Sequence, residues 1–189
     1  FNTYFSKTIN PQNLAIEKLA KNDSISSATY SYLKANIDWN ISQNNIDTAQ
    51  FYIHTMQLLY AASNKKQQTA QARYLFTCIE SLGMHYKSLG KFKESESTYH
   101  KTQPYINDEF FKMKFHANLG ILFYDEKDFK KSLLEINQAL QYFSPSTKSI
   151  SFFMLSTLKS ELLMHLNQEK ESIDLLNFLY SRMLEIPLE

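Results

Sequence analysis

Two stretches of this chain superimpose without a gap at a separation of 37 positions. The first is Ile79-x-x-Leu82-Gly83-x-x-Tyr86, followed by Phe92, Ser95, Tyr99 and Thr102. The second is His116-x-x-Leu119-Gly120-x-x-Phe123, followed by Phe129, Ser132, Ile136 and Ala139. A unit of this length cannot bury its apolar face alone, so a chain built from it stacks neighbouring units into one continuous core. Within a unit, Leu and Tyr or Phe four residues apart share one helix face. The Gly between them lets a second backbone come close, at a cost of about 1 kcal/mol in helix propensity. The small Ser permits the same closeness from the partner helix. Residues 87–92 form the expected turn of the first unit, with Gly90 as its helix C-cap residue. Residues 125–129 are the counterpart, without the Gly.

Weaker copies flank this pair. Upstream, Asn44-Asn45-Ile46 reads as a turn, preceded by Tyr30, Leu33, Ile37 and Asn40 and followed by Ala49, Ile53 and Met56. Downstream, Asn167-Gln168 is the turn, preceded by Phe152, Phe153, Leu155, Leu158, Leu162 and Leu163 and followed by Ser172, Leu176 and Leu179. Pro145 stands where the pattern expects a helix-ending proline. The expected map is a leading helix near 11–21, begun after Pro11. Helix pairs follow at about 26–43 with 46–61, 67–88 with 92–104, 108–125 with 129–142, and 147–166 with 169–184. No linker divides it, so residues 1–189 read as a single all-α domain. The chain starts at Phe1 without an initiator Met or a signal-peptide pattern, which suggests a processed chain or a fragment of a longer one.

Composition narrows the function classes. Only 3 Gly and 4 Pro leave too few turns for an all-β fold and no Gly-rich phosphate loop. Twenty basic against nineteen acidic side chains, net charge +1, provide no basic stripe for direct nucleic-acid contact. No stretch of about 18 apolar residues offers a membrane span, and a cytoplasmic location is expected. The single Cys78 can form neither an internal disulfide nor a cysteine cluster, and its apolar neighbours Tyr74, Leu75, Phe76 and Ile79 suggest a small buried hydrophobe.

Catalytic signals are missing. The histidines (His54, His85, His100, His116 and His165) make no helical zinc spacing, and no metal or cofactor is expected. His54 and His116 fall at repeat positions that imply core or interhelix contacts. Asp125, Glu126 and Asp128 lack the oxygens and the Gly of a calcium loop and suit a solvated, helix-capping turn. The chain reads as a binder, not an enzyme. With 14 Phe and 12 Tyr, most aromatics belong to interhelix core, and some Tyr should line a groove.

The central residues Asn118-Leu119-Gly120-Ile121-Leu122-Phe123, Asp128-Phe129-Lys130-Lys131-Ser132 and Asn137-Gln138-Ala139-Leu140 resemble a tetratricopeptide repeat, most specifically across 76–145. The resemblance implies a right-handed superhelix of about four helix pairs. The first helix of each pair would line a concave wall that holds peptides or protein partners. Long units rich in Tyr, Phe, Asn, Lys and Ile are also similar to the sensor domains of the RNPP group. These are peptide-pheromone-responsive transcriptional regulators of Gram-positive bacteria, in which a helix-turn-helix domain precedes the repeats. That similarity implies a quorum-sensing-type sensor for a short peptide, and a constitutive protein–protein interaction scaffold is the alternative. A homodimer is left open. On the repeat register, the groove candidates are Lys34, Asp38, Thr77, Glu80, Met84, Lys114, Asn118, Ile121 and Tyr124. Asn118 is expected to meet ligand backbone, and Lys114 a carboxylate.

Overall fold

The computed structural model describes residues 27–144 and 149–185. The leading helix expected near 11–21 and Pro145 lie outside the described residues. Eight α-helices and no strand occur among the described residues. They are α1 (Ser27–Ser42), α2 (Ile46–Ala62), α3 (Lys65–Ser88), α4 (Phe92–His100), α5 (Glu109–Asp125), α6 (Phe129–Leu140), α7 (Ile150–His165) and α8 (Glu169–Leu184). A 3-10 turn, Gln103–Tyr105, follows α4. Each odd-numbered helix packs on the even-numbered helix after it, and α2, α4 and α6 pack on α3, α5 and α7 in turn. The core runs on without a break, because α5 contributes Phe111, Phe115 and Leu119 to one buried cluster and Met113 and Ala117 to the next.

All four pairs share one internal register. Ile37, Gly83, Gly120 and Ser160 are pivots of the first helices, and twelve residues later Ala49, Ser95, Ser132 and Ser172 are fully buried. Ser95 Oγ donates to Gly83 O at 2.8 Å, Ser132 Oγ to Gly120 O at 2.7 Å, and Ser172 Oγ to Ser160 O at 2.9 Å. The hydroxyl thereby joins two backbones that large side chains would hold apart, and at the fourth pair the small Ser160 side chain is accommodated. The absence of a side chain at the two glycines is required, not incidental. A Cβ on Gly83 would sit 2.6 Å from Tyr99 Cε1, and one on Gly120 2.6 Å from Ile136 Cδ1.

The turns repeat as well. Asn44 (φ 58°), Gly90 (φ 69°), Lys127 (φ 65°) and Asn167 (φ 59°) each stand seven residues past the pivot in the left-handed region. The N–H of the following residue reaches a carbonyl five residues back, Asn45 to Asn40 at 2.8 Å and Lys91, Asp128 and Gln168 to Tyr86, Phe123 and Leu163 at 2.9 Å. This is the Schellman closure, which satisfies carbonyls that a helix end leaves open. The second helices then start under their own caps where a suitable side chain exists, as when Asp128 accepts from Lys131 N at 3.2 Å.

Several sequence expectations need correction. The helix expected over 92–104 ends at His100, because Pro104 has no N–H to return to the His100 carbonyl, and Gln103–Tyr105 form a 3-10 turn in place of continued α-helix. The helix expected from 67 begins at Lys65, where Asn64 and Gln67 form a reciprocal capping box. The helix expected over 147–166 is Ile150–His165, with Ser149 accepting from Phe152 N at 3.2 Å, and that expected over 129–142 stops at Leu140. His54, expected at a core or interhelix position, is exposed on α2. Leu176 is 46% exposed, although its register equivalents Ile53, Tyr99 and Ile136 are buried. Those three have a following helix pair to cover them, and no described helix follows α8.

Candidate functional site

The first helices are bridged in succession by side chains. Between α1 and α3, the Tyr30 and Tyr74 rings lie 5.7 Å apart and Ser31 Oγ is 3.4 Å from Tyr74 Oη. Between α3 and α5, Phe76 and Phe111 approach to 4.6 Å, and Lys87 Nζ donates to Asp125 Oδ2 at 2.7 Å. Between α5 and α7, the Tyr124 hydroxyl donates to Glu161, whose carboxylate raises the phenol above the ordinary tyrosine range. All nine groove candidates sit on α1, α3 and α5 of this row.

Three of them meet at one point. Glu80 is only 6% exposed, and its two carboxylate oxygens have separate partners on the neighbouring helix. Lys114 Nζ donates to Oε2 at 2.7 Å, and Asn118 Nδ2 donates to Oε1 at 2.7 Å. A buried carboxylate requires such compensation, since an ionised group without a partner is strongly disfavoured inside protein. Lys114 and Asn118 are four apart on α5, so one turn of helix presents both to the same acid. The lysine expected to seek a ligand's carboxylate already holds one from its own chain. The Asn118 amide oxygen has no hydrogen-bond partner among the described residues.

The remaining candidates divide. Lys34 pairs with Asp38 one turn on, and that hydrogen bond raises the Lys34 ammonium above the usual lysine range. Thr77 turns its hydroxyl back onto Arg73 O and Tyr74 O, both at 3.0 Å, and makes no bridge between helices. Met84 is 52% exposed and Ile121 half-buried, at equivalent places on α3 and α5. The wall is therefore a row of self-neutralised charges with thioether and aliphatic surface beside them.

Sequence reasoning missed Lys87, Asp125 and Glu161. Lys87 stands at the Tyr124 position of its own unit and Glu161 at the Ile121 position of the fourth, so carrying the register through every unit would have found both. Asp125 is not merely a solvated turn residue, because it bridges to Lys87. His116 does bridge helices as expected, with Nδ1 2.7 Å from Glu135 Oε2 on α6. Cys78 is buried, and burial pushes its thiol up to about 12.

Two clefts lie off this wall. One, of about 230 Å³, is floored by Ile53, Ile79 and Leu82 between α2, α3 and α4. Its counterpart, of about 340 Å³, lies between α6, α7 and α8. No groove candidate lines either. Among the described residues, no group of His, Cys, Asp or Glu is placed to hold a metal ion, and no helix is long and apolar enough to cross a membrane. No family model matches the chain, and no curated protein matches it.

Proposed function

We propose that this chain is a peptide-binding module of the tetratricopeptide kind, in which α1, α3, α5 and α7 form the concave wall of a right-handed superhelix. An extended segment lies along that wall. The observation that carries the reading is the Glu80–Lys114–Asn118 cluster. Residues that the tetratricopeptide resemblance marks for ligand contact come together between two adjacent first helices. The acid and the base cancel, leaving the Asn118 amide oxygen to accept from a ligand backbone N–H. Met84 and Ile121 supply apolar contact beside it. Because Lys34, Lys87 and Lys114 each hold a carboxylate of the chain itself, the favoured ligand is a short, mostly uncharged peptide, not an acidic one.

On this reading the domain is the cytoplasmic sensor of a quorum-sensing-type transcriptional regulator related to the RNPP group. Peptide binding shifts the population of superhelix or dimer states felt by an attached output domain. The test is a thermal-shift screen of the chain against size-fractionated peptides from the culture medium of its source. A ligand at 100 times its Kd adds about 2.7 kcal/mol, and at this size each kcal/mol raises Tm by about 2–4 °C. A reproducible rise with a fraction below about 1 kDa (the size of a short peptide) supports the sensor. No rise in any fraction, with a folded protein retained on the immobilised chain, replaces it with a constitutive scaffold.

A further inference from the structure

The largest exposed aromatic side chains of the first described helix stand where the other first helices are closed. Tyr32 is 66% and Trp39 64% exposed on α1. Tyr32 lies five residues before its pivot, and its equivalents Cys78, Phe115 and Leu155 are all buried. Trp39 lies two residues after the pivot, and its equivalents Leu122 and Leu162 are fully buried. The third equivalent, His85, is half-buried. Each first helix has its own partner, α1 included. What α1 lacks among the described residues, and α3, α5 and α7 have, is a helix pair packed in front of it.

Direct contacts agree that these two positions face the preceding pair. The Phe115 ring lies 5.6 Å from the ring of His100, the last residue of α4. His85 Nε2 lies 3.0 Å from Asn44 Oδ1, in the turn between α1 and α2. An aromatic pair this exposed, at positions that the three sister helices bury or, at His85, half-bury, marks a surface built to be covered.

The chain carries a segment that fits. Residues 11–21 (PQNLAIEKLAK) lie five residues before α1, and on a 100° helical period Ala15, Ile16, Leu19 and Ala20 fall on one side, with Glu17, Lys18 and Lys21 opposite and Leu14 among them. Residues 22–26 would join this segment to α1. That length lies between the two-residue link Ser63–Asn64 before α3 and the longer links 101–108 and 141–149 before α5 and α7. We propose that residues 11–21 pack their Ala15–Ile16–Leu19–Ala20 side on the Tyr32–Trp39 face of α1, as α2, α4 and α6 pack on the first helices that follow them.

Trp39 is the only tryptophan in the chain and reports on this contact directly. In the full chain its emission should be blue-shifted and its quenching by acrylamide weak, and both should be unchanged on dilution. Replacing Ile16→Asp together with Leu19→Asp should red-shift the emission and raise the quenching constant severalfold, while Lys18→Glu on the opposite side changes neither. Far-UV circular dichroism of the double variant separates exposure of one face from unfolding of the chain. A Trp39 quenched freely in the unaltered full chain overturns the proposal. So does shielding that survives the double substitution. Shielding lost on dilution also overturns it and assigns the face to a second copy of the chain.

Discussion

Gly83 and Gly120 show most clearly what single residues do here. Alanine at either site gains about 1 kcal/mol of helix propensity, yet its Cβ would overlap a Tyr99 ring that is itself buried, or Ile136. Overpacking of a filled core costs about 1–3 kcal/mol, so Gly83→Ala should lower stability by about 1 kcal/mol net, measured by the urea midpoint at unchanged slope. The Glu80–Lys114 pair behaves differently. Lys114→Met leaves a buried carboxylate without its cation and should cost about 3 kcal/mol. Adding Glu80→Gln should recover most of that loss, because the amide needs no counter-charge. A double-mutant cycle measures the coupling, and the recovered double variant separates loss of fold from loss of binding in any later ligand work. Lys114→Ala alone would confuse the two.

The elements were readable in the sequence to different depths. Helix identity and the turns at Asn44, Gly90 and Asn167 followed from spacing and turn residues, because a left-handed C′ position favours Gly or Asn. Lys127 occupies the same position with φ 65° and carries no such signal, since nothing in a lysine announces that conformation. The strain it bears predicts that Lys127→Gly stabilises the chain by about 1 kcal/mol, while Gly90→Ala, with nothing near its Cβ, destabilises it by a similar amount through backbone conformation alone. Thermal or urea unfolding of the two variants checks both signs. The early end of α4 is written in the sequence as Pro104, a signal that the spacing of apolar residues does not carry. The buried state of Glu80 was not readable, because its two partners lie 34 and 38 residues away on another helix.

At the scale of the whole molecule, the register explains both ends as well as the middle. Positions that bury Ile53, Tyr99 and Ile136 leave Leu176 open on the last described helix, and positions that bury Leu122 and Leu162 leave Trp39 open on the first. The same repetition lines up the first helices, and through Tyr74, Glu80, Lys87 and Tyr124 ties each to the next. Repetition says where a ligand-facing wall would be, whereas the pairing of its charges, visible only in three dimensions, narrows what could lie there. Whether that wall is the binding surface is tested most directly by site-specific photocrosslinking in the protein's native cells. A photoreactive side chain replaces Met84 or Ile121 on the wall, or Leu134, which is exposed on α6. A discrete adduct of one ligand mass is expected from Met84 and Ile121 and none from Leu134. Adducts from Leu134 alone, or equally from all three sites, would contradict a binding role for that wall.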